Sequence, residues 1–326
     1  MLVRMAQKFF DVVCLGELLM DLFPAEIGRR LADVSAFAPK AGGGAANTVV
    51  AAARLGAATA FIGKVGEDFF GHSLAETLER EGVDTRGMRF DPDVRTTLAF
   101  IALPTPNTPE FIFYRNPGAD QRLRVEELDR ELLQNTRALM MNSIPLSDEP
   151  CRSAAFEAVR RAREAGARFM FDMNYRGTMW RSDAEAMEQI ERMLPQVDVF
   201  KANESELALL AGSSDFETGS AQLLAKGPKL VVITHGARGS YFRSAAASGL
   251  VPSFQVQVVD AVGSGDAFMG ALIVQLVRRG MENLDMELKS VLQYANAAGA
   301  ITATRQGGIP ALPTAAAVEE FLKSRL

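Results

Sequence analysis

Short apolar runs alternate along the chain with longer stretches in which apolar residues recur at helical spacing. The apolar runs predict β-strands at residues 12–15, 60–63, 138–141, 168–171, 197–200 and 230–233. The longer stretches predict α-helices at residues 47–55, 69–81 and 149–165. Strands and helices that alternate in this way favour an α/β fold, a doubly wound and mostly parallel sheet with helices on both faces.

Residues 96–103 and 111–115 break this alternation, because no helical stretch separates these two strand-like runs. The proline-rich segment 104–109 between them predicts a hairpin outside the main sheet. We therefore predict two discontinuous domains. These are an α/β domain of residues 8–22, 41–92 and 119–326, and a small β-sheet lid of residues 23–40 and 93–118. Residues 245–249 are interpreted as a surface loop.

Composition narrows the classes of function. The 326-residue chain is 48% hydrophobic and carries a formal net charge of −5, whereas a nucleic-acid-binding protein would show a basic excess. The start of the chain lacks an apolar core of signal-peptide length, and no apolar run approaches a membrane span. We therefore expect a cytoplasmic protein without nucleic-acid or membrane partners. Its two cysteines, Cys14 and Cys151, are expected to be buried free thiols.

A first glycine loop, Gly42-Gly43-Gly44, precedes the predicted helix that contains Asn47. Glycines let the backbone approach a ligand closely, and the Asn47 amide can both donate and accept hydrogen bonds. A tight turn with close helix packing explains the glycines equally well. The loop is not a dinucleotide-binding fingerprint, because Asn47 occupies the position of that motif's last glycine.

A second loop, at residues 260–268, leads into the apolar stretch 269–276. A glycine-flanked turn at a helix N-terminus presents free N–H groups to an anion. Asp266 lies in the first turn of this predicted helix, where a carboxylate suits proton removal from an alcohol beside a phosphate. Asp266 can also be a helix cap, and local chemistry alone slightly favours the cap. No Walker A motif occurs in the chain.

At these two loops the sequence resembles the PfkB (ribokinase-like) family of carbohydrate kinases. The similar motifs follow the family order from Gly16 to about Pro313. They are Gly16-Glu17 with Asp21, the glycine loop 42–47, Arg54-Leu55-Gly56, and segments 63–68, 171–176, 201–206, 234–239 and 260–268. Several motifs in order are more specific than any one of them, so the resemblance favours the base over the cap at Asp266.

The resemblance implies phosphoryl transfer from ATP to a sugar, with Mg²⁺ as cofactor and a lid that closes over the sugar. Asp266 would be the base, and Gly263, Ser264 and Gly265 would form an anion hole. The residues implied to hold the sugar are Asp21, Gly42, Gly43, Asn47, Phe113, Arg115 and Arg176. The residues implied to bind ATP are Asn203, Thr234, Gly236, Gly239 and Asn296. Glu206 would organise Mg²⁺ through water, although without the motif it is expected to be an exposed helix glutamate.

The family resemblance also implies a monovalent-cation site for K⁺ beside the anion hole. Asp260 matches its side-chain ligand, and the alternative is a turn-forming aspartate. The backbone ligands would come from Val262, Thr302, Arg305, Gly307 and Ala311. Ala261 stands where threonine is common in the family, and this departure weakens the expectation of potassium dependence.

Segments 111–120, 294–300 and 308–313 resemble the fructokinase branch of the family, which implies fructose as the sugar. The runner-up is a 2-keto-3-deoxygluconate kinase, whose acidic substrate would suit Arg115 and Arg176. A ribokinase is disfavoured because Glu17 replaces the usual small or polar residue. A non-catalytic sugar- or nucleotide-sensing protein with the same fold is the alternative of another class. The resemblance also implies a homodimer formed through the lid.

Overall fold

The computed structural model describes residues 9–105, 108–280 and 284–325. Within these ranges the strands are β1 (Phe10–Leu15), β2 (Leu19–Pro24), β3 (Phe37–Gly42), β4 (Thr59–Gly66), β5 (Asp84–Asp91), β6 (Leu98–Thr105), β7 (Thr108–Tyr114), β8 (Thr136–Asn142), β9 (Arg168–Asp172), β10 (Val199–Asn203), β11 (Leu230–Thr234), β12 (Ser240–Ser244) and β13 (Ser248–Val251). The α-helices are α1 (Gly44–Arg54), α2 (Phe69–Arg80), α3 (Arg130–Gln134), α4 (Cys151–Glu164), α5 (Asp183–Met193), α6 (Glu204–Ala211), α7 (Phe216–Ala225), α8 (Ser264–Arg279), α9 (Leu284–Ala303) and α10 (Ala315–Lys323).

Nine of the described strands form one sheet in the order β13-β12-β11-β10-β9-β8-β1-β4-β5. The pairs from β11 through β5 are parallel, and only β12 and β13 join antiparallel at one edge. The predicted doubly wound, mostly parallel sheet is therefore confirmed. The chain leaves β1 toward β4 and β5 and later returns to β8 on the other side. The gap above β1 and β8 is thus the topological switch point, where ligands bind in such sheets.

Alternate residues of each central strand supply two separate cores, one on each face of the large sheet. Val12 and Cys14 of β1 pack with α1, α8 and α9, whereas Val13 and Leu15 pack with α4 and α5. Because helices cover both faces of the central strands, these strands are continuous apolar runs in the sequence. Both cysteines are buried and free, and burial raises the pKa of each thiol.

A second, four-stranded sheet has the order β3-β2-β6-β7. The predicted hairpin is its β6–β7 pair, which is antiparallel, although Pro106 and Asn107 of the connecting loop lie outside the described residues. Strand β2 begins at Leu19 and β3 ends at Gly42, beyond the lid limits of 23 and 40 set from the sequence. The division into two domains, including its start at residue 8 outside the described ranges, stays a prediction.

Several predicted boundaries were wrong. Helix α1 begins at Gly44 rather than Asn47, because Gly43 with φ 105° can act as its N-cap. Strand β10 starts two residues late and runs on to Asn203. The segment 245–249, predicted as a loop, contributes Ser248 and Gly249 to the edge strand β13, which pairs with β12. None of the described helices is long and apolar enough to cross a bilayer.

Candidate functional site

Polar side chains gather above the carboxyl ends of β1, β8, β9 and β10, where the helices α1 and α8 begin. Strand β1 runs into Gly16 and Glu17, β8 ends at Asn142, and β9 ends at Asp172. Parallel strands deliver these ends to one edge of the sheet, so residues more than a hundred positions apart in sequence meet there. The site predicted from sequence lies at this edge.

The N-terminus of α8 forms an open turn. Its N-cap, Gly263, has a left-handed backbone with φ 83°, which favours glycine. A Cβ built on Gly263 would come 3.1 Å from Cα of Gly308, and one on Gly265 would come 3.2 Å from Nζ of Lys201. Among the described residues, Oγ of Ser264 is buried without a hydrogen-bond partner. The turn therefore presents polar groups at the positive end of a sixteen-residue helix, as an anion site requires.

Asp266 lies in the first turn of α8 and accepts a hydrogen bond from Nδ2 of Asn47 at 2.8 Å. Burial raises the pKa of Asp266 to about 6, with Asp172 adding to the rise and the Asn47 hydrogen bond and Lys201 opposing it. The partner of this carboxylate is a side chain of another helix rather than the backbone of its own first turn. A carboxylate with a pKa near neutrality can accept a proton from a hydroxyl at physiological pH.

Asn47 joins the two glycine loops. Its side chain is buried, and its Oδ1 has no hydrogen-bond partner within the described part of the chain. A Cβ built on Gly308 would come 2.7 Å from this oxygen, so the Gly308 backbone approaches the amide closely. A buried amide oxygen without a partner is rare in native proteins and is typical of a site that awaits a ligand.

Asp21, on β2, is a second buried carboxylate of the site. Burial, together with the charges of Asp266 and Glu17, raises the pKa of Asp21 to about 8. A Cβ on Gly42 would clash with the Asp21 carboxylate, which explains the glycine there. Asp21 of the small sheet and Asn47 of α1 therefore both interact with Asp266: the charge of Asp266 raises the pKa of Asp21, and Asn47 donates a hydrogen bond to Asp266.

Glu17 was not among the site residues chosen from the sequence. Its Oε1 accepts hydrogen bonds from the backbone N–H of Gly44 at 2.5 Å and from Nδ2 of Asn142 at 3.0 Å. Burial raises the pKa of Glu17 to about 7. Asn174, which adopts a left-handed backbone with φ 37°, lies against Gly44 as well. A glutamate directly after a buried apolar strand was the signal that could have identified this network.

A buried ion pair below the anion turn was also missed. Nζ of Lys201 lies 2.8 Å from Oδ2 of Asp172 on the neighbouring strand. Burial opposes the Lys201 charge, but Asp172 and Glu206 outweigh burial and raise the pKa of Lys201. A lysine within the apolar strand β10 was the sequence signal, because a buried lysine needs an acidic partner.

Glu206 is buried, contrary to the expectation of an exposed helix glutamate. It accepts backbone N–H bonds from Asn203 and Tyr175, each at 2.8 Å. Asn203 caps α6 in return by accepting from the N–H of Glu206 at 2.9 Å. Burial raises the pKa of Glu206, while Lys201 opposes the rise. Both residues thus hold the start of α6 beside Lys201.

A cleft of about 530 Å³ opens beside the anion turn. Of the residues assigned to the nucleotide from the sequence, it is lined by Thr234, Gly236, Gly239 and Asn296, together with Ser264 and Gly265 of the turn. Asn203 is not part of this lining. The Asn296 amide donates to the backbone oxygens of Val251 and Pro252, at 3.1 and 3.3 Å, and so fixes the cleft's wall. The cleft is of the size that holds a small ligand.

The two arginines assigned to the substrate differ in their surroundings. Arg115 is buried and paired with Asp120 at 2.7 Å, and it donates to Oγ of Ser147 at 3.0 Å, so it is not a solvated residue at the lid edge. Arg176 lies over the Phe111 ring at 5.8 Å, and its charge acts on Asp21 and Asp266. Phe113 is half-buried and stacks with Phe111 at a centroid distance of 5.9 Å.

Direct contacts join some of the residues assigned to the cation site: Asp260 contacts Val262 and Gly307, and Thr302 contacts Arg305. Asp260 is fully buried and accepts from the N–H groups of Val262 at 2.9 Å and Gly307 at 2.8 Å. The Thr302 hydroxyl bonds within α9 to Ala298, while its carbonyl accepts from Arg305. Ala311 donates its N–H to Gly308. The turn-forming role of Asp260 is thus present in the structure.

Comparison with known proteins gives a consistent result. The family model described as "pfkB family carbohydrate kinase" matches residues 10–315. A probable fructokinase of Arabidopsis thaliana is 42% identical over 314 residues, with 96% of this chain and 95% of the relative covered. A fructokinase of Oryza sativa is also 42% identical, with 98% of this chain and 100% of the relative covered.

Solved structures with the same fold include two bacterial fructokinases. The ATP-bound fructokinase of Xylella fastidiosa superposes with a TM-score of 0.89 at 32% identity, with 97% of this chain and 98% of that chain covered. A double mutant of the fructokinase of Vibrio cholerae, with fructose, ADP and a potassium ion bound, gives a TM-score of 0.88 at 32% identity. In the latter comparison 97% of this chain and 99% of that chain are covered.

Proposed function

The chain belongs to the pfkB family of carbohydrate kinases, and we propose that it transfers the terminal phosphoryl group of ATP to fructose, forming fructose 6-phosphate. The observation that carries this proposal is the buried Asp266 carboxylate in the first turn of α8, beside an anion-binding turn and the nucleotide-sized cleft. The full-length similarity to fructokinases supports fructose as the sugar.

Asp266 acts as the base in the proposed mechanism. As the sugar hydroxyl oxygen bonds to the terminal phosphorus, its proton passes to the Asp266 carboxylate and ADP leaves. The N–H groups of the turn at Gly263, Ser264 and Gly265 stabilise the charge on the phosphoryl oxygens. Asn47 holds Asp266 through its 2.8 Å hydrogen bond and so fixes the direction of proton transfer.

The sugar is proposed to lie between the small sheet and the ends of β1 and β9. Asp21 and the free Oδ1 of Asn47 would bind sugar hydroxyls, and the close backbone at Gly42 and Gly43 would admit them. The stacked aromatic side chain of Phe113 would cover the sugar. Arg176 would add a donor, whereas Arg115, held by Asp120, would support the lid from below.

ATP is proposed to occupy the cleft beside α8, with Thr234, Gly236, Gly239 and Asn296 around the nucleoside and Asn203 near the phosphates. Glu206 fits a water-mediated magnesium site, because it is a buried carboxylate whose charge is only partly balanced by Lys201. Bound Mg²⁺ supplies charge neutralisation for the transferring phosphoryl group. The backbone N–H groups of Tyr175 and Asn203 hold Glu206 in place for that role, and the charge of Lys201 favours its ionised form.

A potassium site at the loop of Asp260, Val262, Thr302, Arg305, Gly307 and Ala311 stays a prediction. The carbonyl groups of the loop suit a monovalent cation. Both carboxylate oxygens of Asp260 already accept N–H bonds, one from Val262 and one from Gly307. The ammonium group of Lys40 also lies at this loop, 3.4 Å from the backbone oxygen of Gln306. The fit of potassium therefore depends on Lys40.

A cytoplasmic location is proposed from the two buried free thiols, which suit a reducing compartment. A homodimer through the lid is supported by Ile112 and Tyr114, which are 52% and 65% exposed on β7. Light scattering tests the dimer: Ile112→Glu should halve the apparent mass if β7 lies in the interface. An unchanged dimer would argue against this interface.

The kinase proposal is tested by ADP release with ATP and Mg²⁺ against fructose, ribose, 2-keto-3-deoxygluconate and adenosine. Fructose should give the highest kcat/KM. Asp266→Ala should lower kcat by roughly 10²–10⁴-fold with sugar binding retained. Asp215→Ala is the matched control, because Asp215 is the N-cap of α7, and its loss should leave kcat unchanged.

The outcomes separate the alternatives. A highest kcat/KM with 2-keto-3-deoxygluconate would keep the kinase assignment and replace the sugar. Turnover of none of the sugars would favour the sensing alternative, and a fully active Asp266→Ala would refute the assigned base.

A further inference from the structure

Lys40 belongs to the small sheet but reaches the loop behind the anion turn. It lies on β3 directly opposite Asp21 of β2. Its Nζ lies 4.6 Å from the centre of the Phe23 ring and 3.4 Å from the backbone oxygen of Gln306. The ammonium is therefore held between a lid aromatic ring and the loop at residues 305–308, which we call the cation loop.

The cation loop is shaped around this side chain. A Cβ built on Gly307 would come 3.0 Å from Cδ of Lys40 and 3.1 Å from its Nζ, so a side chain at position 307 would obstruct the lysine. The charges of Lys40 and Asp260 attract each other. The ammonium thus lies close to a backbone carbonyl and is attracted by the charge of the buried Asp260 carboxylate, although the two form no ion pair within 4 Å. Carbonyl and carboxylate oxygens are also the groups that would hold a monovalent cation.

The cation loop touches the catalytic residues on its other side. The Gly308 backbone approaches both Gly263 of the anion turn and Oδ1 of Asn47. Asn47 in turn holds Asp266 at 2.8 Å. A positive charge that fixes the cation loop therefore also fixes the turn and the base, although Lys40 itself touches neither.

We propose that the Lys40 ammonium is the built-in cation of the cation loop, so that this enzyme orders its anion turn without a bound potassium ion. Lys40 is then a positioning residue. Lys40 belongs to β3, so the small sheet supplies the positive charge to the cation loop. The cation loop is then fully ordered only while the small sheet packs against it. The inference rests on the proposed function for its kinetic test, but not for its stability test.

The kinetic test measures fructose phosphorylation in KCl and in tetramethylammonium chloride at equal ionic strength. The wild type should give the same kcat in both salts, within about twofold. Lys40→Met removes the charge and should lower kcat about tenfold in tetramethylammonium chloride, with the KM for fructose nearly unchanged and most of kcat restored by KCl. Lys40→Arg keeps a positive charge, so it should need less KCl than Lys40→Met to reach the same kcat. Lys289→Met, at an exposed position of α9, is the matched control and should behave as wild type.

The stability test uses the ligand-free protein and needs no turnover. KCl should raise the Tm of Lys40→Met above its value in tetramethylammonium chloride, because the ion then binds only to the folded loop. The wild type should melt at the same temperature in both salts.

A wild type that needs KCl as much as Lys40→Met does would overturn the proposal. So would a loss of activity in Lys40→Met that no salt restores, since that would indicate a purely structural contact. The wild-type comparison decides the matter even if Lys40→Met fails to fold. If no sugar is phosphorylated at all, the proposed function fails, while the Tm comparison still tests Lys40.

Discussion

At the scale of single residues, the site places several carboxylates in buried positions, where the loss of hydration disfavours their ionised form. Asp21, Glu17 and Asp266 are all buried, and burial is the largest cause of the raised pKa in each. The Asn47 amide lowers the pKa of Asp266 and the Asn142 amide lowers that of Glu17, whereas the charges of Asp266 and Glu17 raise the pKa of Asp21. This difference separates a base poised near neutrality from Asp21, which holds its proton to about pH 8.

The raised pKa of Asp266 predicts an acidic limb in the pH profile. A base must be ionised, so kcat/KM for fructose should fall about tenfold per unit below about pH 6 and level off above it. Asn47→Ala removes the hydrogen bond that lowers this pKa, so the inflection should move to higher pH. Steady-state rates across the range measure both. An inflection that stays in place or moves to lower pH would contradict the assignment.

The raised pKa of Asp21 predicts a gain in stability for Asp21→Asn. The unfolded chain releases this proton near the ordinary value of 3.8 and the folded protein only near 8, so wild-type folding loses stability as pH rises between them. Asp21→Asn should raise the free energy of unfolding by several kcal/mol at pH 8 and by only about 1–2 kcal/mol at pH 5, and it should weaken sugar binding. Urea titrations at the two pH values measure the gain. A variant less stable than wild type at pH 8 would refute the prediction.

At the scale of elements, the geometry of the proposed catalytic site depends on how closely α1 and α8 pack. A Cβ built on Gly270 of α8 would come 2.7 Å from Cβ of Ala51 and 2.9 Å from the backbone oxygen of Thr48. These helices carry Asn47 and Asp266, which form the hydrogen bond between them. Their separation therefore sets the position of the base.

Gly270→Ala should force the two helices apart. We expect a loss of about 1–3 kcal/mol in unfolding free energy and a lower kcat, because the Asn47–Asp266 bond lengthens. Denaturation and steady-state kinetics measure the two effects. Gly249→Ala is the matched control, since its nearest neighbour lies at an ordinary 3.5 Å from the added Cβ. Equal effects of the two substitutions would remove the argument for close packing.

At the scale of the whole molecule, the proposed function assigns the catalytic residues to the large sheet and its helices, and part of the sugar pocket to the small sheet. The cleft proposed for the nucleotide is lined by residues of the large sheet and its helices, including Thr234, Ser264 and Asn296. Asp21 and Phe113 belong to strands of the small sheet. The two ligands should therefore stabilise different parts of the protein.

Fructose should raise the Tm of the wild type, as should ATP with Mg²⁺. At a hundredfold excess over Kd, each ligand adds about 2.7 kcal/mol to the free energy of unfolding. Hydrogen exchange should slow in β2, β3, β6 and β7 with fructose and around α8 with the nucleotide. Protection of the small sheet by the nucleotide alone would argue against this division.

The sequence predicted most of the fold because the signals were local. The central strands are buried on both faces, so they appear as plain apolar runs, and the proline-rich break predicted the β6–β7 hairpin correctly. The start of α1 was predicted three residues late, because a run of glycines indicates a loop until the φ of Gly43 is known. Asp266 and Asn47 were predicted as site residues from their glycine loops, but the network of Glu17 and Asn142 was not predicted.

By itself, then, the sequence determined the order of the elements, the two glycine loops and the family. The tertiary structure alone decided which charges meet. Lys201 pairs with Asp172 on the adjacent strand, and Lys40 crosses from the small sheet to Gln306, 266 positions away. The physical reason is that hydrophobic periodicity reports the local burial of a segment. Contacts between distant polar groups depend on strand order and packing, which no single segment encodes.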